Sequence, residues 1–198
     1  MHNYNIHDFI LKFENIAREQ YFKTIDNVIY DNLREKFSIS GTISESGGTN
    51  NDRRVRSVDG YFFSENEVQN VSQRILYNET MKMVHKLYET YNSRFEYSPL
   101  EYKIVEPPVL HFLEYTAQDK GHYEWHTDDN ANFAPRTLTM LIGLNDDYRG
   151  GELKVLNDSN PIKLRRNQAV IFPSNILFTH KVERVTEGKR RVLVVWIK

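Results

Sequence analysis

Hydrophobic residues change their spacing about halfway along this chain of 198 residues. In the first half they recur at helical intervals, which predicts helices over IHDFILKFENIA and FKTIDNVIYDNLREKF. A third helix is predicted to begin at Ser64, where Glu67 completes a capping box, and to end before Pro99. Its apolar face is expected to include Val68, Val71, Ile75, Val84, Leu87 and Tyr91.

The second half contains short segments rich in β-branched and aromatic residues, with turn signals such as DDYRGGE and NDSNP between them. Many short strands of this kind favour a sandwich or jelly roll. Several of them are apolar at nearly every residue, so we expect the N-terminal helices to cover their second face. The predicted strands are VLHFLEY, HYEWH, RTLTMLIGL, GELKVL, AVIFP, ILFTHKV and RRVLVVWIK.

We therefore predict an α+β fold in a single domain, residues 1–198, in which helices pack on the larger sheet of a jelly roll. Residues 1–98 are expected to give mainly helical support, and residues 99–198 to form the β-rich core. Residues 40–57 are rich in Ser, Gly, Asn and Thr, which predicts a mobile loop. Such a loop could cover a groove for a protein substrate.

Composition narrows the chemistry that the chain can perform. It has no cysteine, which excludes disulfides, thiolate nucleophiles and cysteine-ligated metals, so a metal site would need His, Asp and Glu. The net charge of −1 and the pI of about 6.7 give no argument for binding nucleic acid or a membrane. No apolar run is long enough for a membrane span, and the N-terminus lacks the features of a signal peptide. A cytoplasmic location is the expectation.

The segment YEWHTDDN, residues 123–130, raises the question of a metal site. Side chains alternate along a strand, so His126 and Asp128 at a strand end would point to the same side. A polar turn would explain this pair equally well if it stood alone. The candidate for a third ligand is His180, which interrupts an apolar strand. Two histidines and one carboxylate with open coordination positions form the facial triad of non-haem Fe(II) oxygenases.

Ten residues after His180, Arg190 begins the last apolar strand. A buried arginine is costly unless it meets an anion, and its planar guanidinium suits a carboxylate. Arg191 would point to the opposite face of this strand, where solvent would surround it. Arg190 is expected to share its own face with Val192, Val194 and Trp196.

The order HxD…H…R, together with GGEL, FPS and GKR, resembles the Fe(II)/2-oxoglutarate dioxygenases in their prolyl-4-hydroxylase-like branch. Within that branch the chain looks like the PKHD-type hydroxylases, and the resemblance covers residues 108–198. It implies a double-stranded β-helix as the catalytic core. The implied Fe(II) ligands are His126, Asp128 and His180. The implied contacts of 2-oxoglutarate are Arg190, at its distal carboxylate, and Tyr115 and Thr139.

The resemblance implies an enzyme that uses Fe(II), 2-oxoglutarate and O2 to hydroxylate a C–H bond, with ascorbate as the reductant. Its substrate would be a protein or peptide side chain such as proline, or a small metabolite. Asp128 argues against the halogenating variants, which lack this carboxylate. Two alternatives stay open, a cupin-like module that binds a metal without turnover and an oxygenase that modifies nucleobases. Arg190 speaks against the first, and only the short RRVR cluster favours the second.

Two positions depart from the family pattern. Many relatives have a tyrosine that touches 2-oxoglutarate where this chain has Gly143, which leaves open the residue that assists Arg190. Relatives also tend to have glycine in the turn before AVIFP, where this chain has Asn167. Asn tolerates a positive φ better than most residues, so the turn is expected to form.

Four residues are candidates for contact with the substrate or cosubstrate, and each has a structural alternative: Arg56, Tyr61, His122 and Trp196. Arg56 lies in NDRRVR, which could clamp an acidic substrate or be a solvated basic loop. His122 shares strand parity with His126 and could lie at the rim, while Trp196 could wall the cosubstrate pocket or pack in the core. The residues expected to have ordinary structural roles are Asp129 in a turn beside the site, His111 and His85 in packing or at the surface, and Trp125 in the core.

Overall fold

The structure, a computed structural model, describes residues 4–39, 42–43, 49–50, 52–95, 108–129, 135–156 and 160–198. Two antiparallel β-sheets face each other across an apolar interior, and helices cover the other face of the larger sheet. The predicted jelly roll with helices on its larger sheet is therefore confirmed. The strands in chain order are β1 (Leu11–Glu14), β2 (Ser38–Ile39), β3 (Thr42–Ile43), β4 (Thr49–Asn50), β5 (Arg56–Ser57), β6 (Asp59–Phe63), β7 (Leu110–Thr116), β8 (His122–His126), β9 (Leu138–Gly143), β10 (Tyr148–Gly150), β11 (Leu153–Val155), β12 (Gln168–Pro173), β13 (His180–Val182) and β14 (Val185–Ile197).

The larger sheet has the strand order β1-β12-β9-β14-β7-β6-β2, and β10 pairs with β14. The smaller sheet has the order β11-β13-β8-β5, and β3 pairs with β4. No helix in the described ranges is both long and apolar enough to cross a membrane. The helical elements of those ranges are α1 (Glu19–Ile25), continued by a π-helical turn at Asp26–Asp31, α2 (Val71–Asn92), and 3-10 turns at Ile6–Phe9, Arg34–Lys36, Glu65–Glu67 and Ile176–Phe178.

The larger sheet carries apolar residues on both faces because both faces are covered. On its helix side, Phe112, Met140 and Leu193 are fully buried in the core shared with the helices. On its other side, Leu141 and Val192 pack toward the smaller sheet. Strands buried on both faces form nearly continuous apolar runs, which is why RRVLVVWIK lacks the alternation of a half-exposed strand.

The apolar stripe of α2 differs from the predicted stripe at its N-terminal end. Val71 is 76% exposed and Ile75 is 50% exposed, although the later members of the predicted stripe are buried. The predicted capping box is present, but it caps the 3-10 turn Glu65–Glu67, and α2 begins only after its own N-cap, Asn70. Apolar residues occur on two adjacent faces at this end of α2, and contact with the sheet determines which face is buried. The residues buried at this end of α2 are Gln73, Leu76, Tyr77 and Thr80.

Residues 11–14, predicted to be helical, form an edge strand instead. β1 pairs antiparallel with β12, and Leu11 lies opposite Ile171. Leu11 and Phe13 pack against the helix-side core while the alternate charged residues are exposed, which is the pattern of a strand. The free edge of β12 supplies backbone partners that outweigh the helical spacing of this segment.

The N-terminal part of the chain is less helical than predicted, because it adds strands to both sheets. β2 and β6 extend the larger sheet beyond β7, and β5 forms an edge of the smaller sheet beside β8. The mobility predicted for residues 40–57 stays a prediction, and eight of these residues, 40, 41, 44–48 and 51, lie outside the described ranges. The described end of that segment is held to β8 by a hydrogen bond from the Glu124 N–H to the Val55 carbonyl at 2.9 Å.

Close backbone contacts and a positive φ restrict which residues can occupy positions 143 and 167, beside the end of β9. A Cβ at Gly143 would overlap the carbonyl oxygen of Arg165, so packing excludes the tyrosine that relatives carry at this position. Asn167 adopts a φ of +67°, which is the conformation that the turn was expected to need. Its Oδ1 accepts a hydrogen bond from the Ala17 N–H at 3.0 Å, which ties the turn to the start of the chain.

Val84 and Val71 offer a matched test of the helix face, because the same substitution can be made twice on one helix. Val84→Ala should lower the free energy of unfolding by about 2 kcal/mol, since it opens a cavity at a fully buried position. Val71→Ala should change it by less than about 0.5 kcal/mol, since that side chain is mostly solvated. Urea denaturation measures both values, and equal losses would contradict the assigned face.

Candidate metal centre

Three side chains from the smaller sheet converge on its interior side. His126 ends β8, Asp128 follows two residues later, and His180 begins β13 directly opposite His126. Nε2 of His126 lies 3.7 Å from Oδ1 of Asp128, and Nε2 of His180 lies 3.4 Å from Oδ2. One ligand atom from each residue lies within 4.8 Å of the other two, so one metal ion could contact all three. His180 begins a strand and does not interrupt one, because a 3-10 turn precedes it.

Backbone carbonyls fix the orientation of both imidazole rings. Nδ1 of His126 lies 2.7 Å from the Glu124 carbonyl oxygen, and Nδ1 of His180 lies 3.1 Å from that of Phe178. We assign the proton to Nδ1, because a carbonyl accepts a hydrogen bond only from an N–H. Nε2 then presents its lone pair to the centre, as a metal ligand must. Burial, reinforced by His180, lowers the pKa of His126 to about 3, so the ring is neutral near pH 7.

Asp128 is buried, and its carboxylate is held by the Thr139 hydroxyl, which itself contacts the Ser174 hydroxyl. Its Oδ2 accepts a hydrogen bond from Thr139 Oγ1 at 2.7 Å, and Thr139 Oγ1 lies 2.9 Å from Ser174 Oγ. Burial by itself would raise the pKa of Asp128, but His180, His126 and the Thr139 hydroxyl together hold that pKa well below its usual range. The group is therefore a carboxylate whose orientation is fixed by the protein alone. This set of donors fits a divalent metal.

Arg190 lies on the interior face of β14 with 1% of its surface exposed. Its Nη1 and Nη2 atoms have no hydrogen-bond partner within the described parts of the chain. Its guanidinium carbon lies 5.0 Å from the centre of the Tyr115 ring, and a Cβ at Gly151 would come within 2.8 Å of Arg190 Cδ. A buried cation with unsatisfied donors is costly, so the site fits an anion that can accept from both nitrogens.

A cavity opens beside the three metal-ligand candidates, between the two sheets. Much of its wall is apolar, which limits the access of water to the centre. The apolar wall includes Leu113, Leu141, Leu153, Val182 and Val194. The other side chains that line it, apart from the three candidates, are Arg56, Tyr115, Tyr123, Thr139 and Trp196.

The same half of the chain carries a family signature. Residues 110–198 match the 2OG-Fe(II) oxygenase superfamily, and this segment contains His126, Asp128, His180 and Arg190. The segment belongs to that superfamily. The resemblance noted in the sequence is therefore confirmed.

Two proteins similar to this chain are named PKHD-type hydroxylases. The one from Prochlorococcus marinus (strain AS9601) is 27% identical over 146 residues, which are 71% of this chain and 65% of that protein. The one from Synechococcus sp. (strain CC9311) is 38% identical over 98 residues, which are 46% of this chain and 44% of that protein. The chain thus spans between 44% and 65% of the length of these relatives.

Solved prolyl hydroxylases share the fold of this chain. A prolyl-4-hydroxylase from Pseudomonas putida aligns over 96% of this chain and 92% of its own, with a TM-score of 0.71 and 13% identity. A prolyl hydroxylase from Trichoplax adhaerens, in complex with a hypoxia inducible factor peptide fragment, aligns over 96% and 83%, with a TM-score of 0.69 and 16% identity. These likenesses show the double-stranded β-helix that the sequence predicted.

A β-bulge in β8 changes which residues face the three metal-ligand candidates. His126 lies opposite His180, but Tyr123 lies opposite Val182, so three residue steps along β8 match two along β13. Tyr123 therefore lies on the same side as His126 and stacks on its ring, with 3.5 Å between the ring centroids. Simple alternation had placed His122 on that side.

Two residues predicted to contact the substrate lie elsewhere. His122 is buried, with Nδ1 at 2.8 Å from the Lys120 carbonyl and Nε2 at 3.0 Å from the Arg54 carbonyl, so it links β8 to the segment before β5. Tyr61 lies in the helix-side core beside Phe37, and burial raises its pKa. His122 lies away from the cavity because of the bulge in β8. Tyr61 lies away from it because its side chain is on the face of β6 that packs against the helices.

The remaining predicted residues lie at the cavity. Arg56, Tyr115, Thr139 and Trp196 line it, and Thr139 also donates its hydroxyl hydrogen to Asp128. A contact from Tyr115 or Thr139 to 2-oxoglutarate stays a prediction.

The other residues singled out in the sequence lie away from the ligand set. Asp129 is exposed, and its N–H donates to the Ser174 carbonyl at 2.9 Å. Trp125 is 41% exposed, so the expectation that it packs in the core is wrong. His85 lies on an exposed part of α2, where its Nδ1 contacts the Met81 carbonyl oxygen at 2.8 Å.

Arg191 is not solvated on the opposite face of β14 from Arg190. Its Nε lies 3.0 Å from Oε2 of Glu114, and its guanidinium lies 4.3 Å from the centre of the Tyr30 ring. Glu114 is fully buried there and also meets two further cations, at 3.1 and 3.4 Å. Sequence reasoning did not predict this cluster, because its members are far apart along the chain: Arg34, Glu114, Lys189 and Arg191.

Sequence reasoning also missed Arg136, which lies two residues before β9. Its Nη1 donates to the Asp128 carbonyl at 3.0 Å, and its guanidinium carbon lies 3.6 Å from the centre of the Trp196 ring. The predicted strand RTLTMLIGL begins with this residue, but the observed strand begins at Leu138, so strand alternation does not give its direction. Its only signal is a single cation placed between Pro135 and an apolar run.

Removing the Thr139 hydroxyl should weaken the metal centre. Thr139→Val keeps the shape of the side chain but deletes the donor to Asp128 Oδ2, so Fe(II) affinity should fall by about tenfold or more. Anaerobic titration calorimetry measures this affinity. The matched control is Thr90→Val on α2, whose hydroxyl donates to the Lys86 carbonyl. Equal affinities in the two variants would show that Thr139 does not support the ligand.

His111 should make the metal-free protein sensitive to acid. Its ring packs edge-on against Phe62 and Trp196, at 4.4 and 4.3 Å, and burial lowers its pKa to about 3. An unfolded histidine titrates near a pKa of about 6.5, so the unfolded chain binds more protons between these two values. Stability contributed by the neutral ring is therefore present above about pH 6.5 and is lost as the pH falls toward 3.

His111→Phe keeps a ring in this stack and removes the titration. The loss in free energy of unfolding between pH 7 and pH 5 should shrink by up to about 2 kcal/mol in this variant. Urea denaturation at the two pH values measures that loss for both proteins. An unchanged loss would mean that His111 takes up its proton in the folded state.

Proposed function

We propose that this chain is an Fe(II)- and 2-oxoglutarate-dependent hydroxylase that converts a C–H bond of its substrate into C–OH. The observation that carries the proposal is Arg190, a fully buried guanidinium on the same interior face as the metal centre. A protein that only held a metal would gain nothing from this unsatisfied cation. A cosubstrate with one carboxylate at the metal and a second carboxylate at Arg190 accounts for both features.

Three side chains would bind the metal, and other groups of the chain orient those three. His126 and His180 would bind the metal through Nε2, and Asp128 through its carboxylate, from one side of the ion. When bound, Fe(II) and 2-oxoglutarate supply the oxidation, in which O2 is consumed and 2-oxoglutarate becomes succinate and CO2. The Nδ1 contacts and the Thr139 hydroxyl keep these three ligands in place without help from the metal.

Arg190 would bind the distal carboxylate through its two Nη atoms, which suit a bidentate contact. The Tyr115 ring beside it restricts the guanidinium, and Gly151 leaves the space that its aliphatic part occupies. The apolar residues of the interior strengthen this ion pair, because they keep the local dielectric low. The ligand that we propose is therefore a dicarboxylate with one carboxylate at Arg190 and the other at the metal.

The substrate that we propose is a protein or peptide side chain such as proline, with a small metabolite as the other possibility. Support comes from the fold that this chain shares with a prolyl hydroxylase in complex with a peptide fragment. We propose ascorbate as the reductant in an assay.

The test of this function is the visible absorption band of the Fe(II)–2-oxoglutarate chelate, recorded without oxygen. Wild-type protein should give the band, and Arg190→Gln should need at least about 30-fold more 2-oxoglutarate for half-saturation, since a buried charge loses its partner. The matched control is Arg191→Gln, one residue along the same strand, which should shift half-saturation by less than about threefold. His180→Ala should lose the band because it loses a ligand.

A wild-type protein that binds metal tightly but gives no band would contradict the proposal. That outcome would favour a metal-binding module without turnover. Equal behaviour of the Arg190 and Arg191 variants would place the cosubstrate carboxylate somewhere else.

A further inference from the structure

Arg190 is bordered by two tyrosine rings in the interior of the protein. The centre of the Tyr115 ring lies 5.0 Å from its guanidinium carbon. The Tyr148 ring lies near its aliphatic part, because a Cβ at Gly151 would come within 2.8 Å of Arg190 Cδ and 3.6 Å of Tyr148 Cε2. Both tyrosines are buried, so close packing restricts the movement of Arg190.

Tyr148 is brought to this place by β10, which pairs with the first part of β14. Tyr148 lies opposite Gly188, two residues before Arg190. A Cβ at Gly188 would overlap the Asp147 carbonyl oxygen and lie 3.3 Å from Tyr148 Cα. Glycine at position 188 therefore allows the two strands to approach each other beside Arg190.

The Tyr148 hydroxyl is anchored on the backbone that fills the space beside Gly143. Its Oη donates to the Leu164 carbonyl at 2.8 Å. A Cβ at Gly143 would lie 3.1 Å from that same carbonyl oxygen. Gly143 pairs with Val192, so a side chain there would point to the interior face that carries Arg190. A phenol therefore reaches this part of the interior from position 148 instead of position 143.

A neutral phenol is a suitable neighbour for a guanidinium that binds a ligand. Burial raises the pKa of Tyr148, and the charge of Arg190 opposes that rise, so the phenol is neutral near pH 7. Because its hydrogen goes to Leu164, its oxygen can only accept from other groups, and a guanidinium has only N–H groups to donate. A neutral acceptor leaves the charge of Arg190 for a ligand, whereas the Glu114 carboxylate neutralises Arg191 on the opposite face.

We propose that Tyr148 is a positioning residue, which holds the guanidinium of Arg190 in place for the distal carboxylate of the cosubstrate. This inference rests on the proposed function and adds a residue to it. Tyr148 acts through Arg190 and not through the three metal-ligand candidates. A ligand without a distal carboxylate is therefore insensitive to Tyr148.

Two keto acids that differ in one carboxylate test the proposal. 2-Oxoglutarate can bind the metal and Arg190 together, whereas 2-oxobutyrate has the same metal-binding end and no distal carboxylate. Each acid is titrated, without oxygen, into protein saturated with Fe(II), and the visible band of the chelate gives the concentration for half-saturation. In every variant, the value for 2-oxobutyrate reports whether the metal centre is intact.

Tyr148→Phe keeps the ring and removes its anchor on Leu164. Half-saturation should then need about fivefold more 2-oxoglutarate, which is the effect of one net hydrogen bond. The value for 2-oxobutyrate should change by less than about twofold. In Arg190→Gln protein, the addition of Tyr148→Phe should change 2-oxoglutarate binding by less than about twofold, because the residue through which Tyr148 acts is gone.

Tyr91→Phe on α2 is the matched control. Its hydroxyl also donates to a backbone carbonyl, that of Phe9 at 2.9 Å, and its ring packs in the helix-side core. This variant should bind both keto acids as wild-type protein does. Urea denaturation should show similar losses of stability in the two phenylalanine variants, since each loses one hydrogen bond to the backbone.

Equal losses of affinity for both keto acids in Tyr148→Phe would mean that Tyr148 supports the whole site, and would overturn the proposal. So would unchanged binding of 2-oxoglutarate, or a fivefold loss that persists in Arg190→Gln protein. A wild-type protein that gives no band with 2-oxoglutarate would instead overturn the proposed function, and the role of Tyr148 with it.

Discussion

The interior of this protein is organised around a charge that is out of reach of water. Arg190 is the largest fully buried side chain in the described part of the chain, and it lies among residues that are otherwise mostly apolar. Burying a guanidinium without a partner costs several kcal/mol of folding free energy, at the order of magnitude known for buried ions. The surrounding apolar packing must offset that cost until an anion binds. The same packing then makes the contact with the anion strong, because no water competes for it.

Because side chains alternate along β14, the neighbouring residues Arg190 and Arg191 lie on opposite faces of the larger sheet. Arg190 points into the interior, whereas Arg191 points toward the helices and meets the buried carboxylate of Glu114. The second site is neutralised by groups of the protein itself and joins β7 to β14 at the register where these residues lie side by side. The first site contains no such carboxylate among the described residues. One strand therefore carries a structural ion pair on one face and, on the other, a buried guanidinium whose two Nη atoms have no hydrogen-bond partner in the described residues.

The grouping of His126, Asp128 and His180 could be predicted from the spacing of these residues and from the chemistry of metal ligands. Alternation and ligand chemistry are enough to bring His126 and Asp128 together, and an imidazole in a neighbouring strand completes the set. The bulge in β8 could not be foreseen, since an extra residue in one strand is visible only against its partner. Because of the bulge, Tyr123 lies beside His126, where simple alternation would have placed His122. In the same way, β1 became a strand because β12 had a free edge, which no property of residues 11–14 reveals.

Tertiary contacts also determined features for which the sequence pattern was compatible with two structures. The start of α2 has two apolar stripes, and only packing against the sheet selects one of them. The predicted strand RTLTMLIGL began with Arg136, but the observed strand begins at Leu138, so alternation did not predict the contact of Arg136 with the backbone of Asp128. Residues in regular strands were thus predictable from their spacing, whereas residues at bulges, strand ends and sheet edges were not.

The position of Arg56 on an edge strand has a consequence for how such enzymes can diverge. β5 pairs with β8 on one side and has no strand on the other within the described sheet, whereas the metal ligands lie on β8 and β13 further inside. An edge strand can change its sequence or length with little effect on the strands behind it. Selection could therefore alter the rim of the cavity while the oxidising centre stays intact. A lineage of proteins with this architecture could acquire new substrates by changing one short segment and keep the same chemistry.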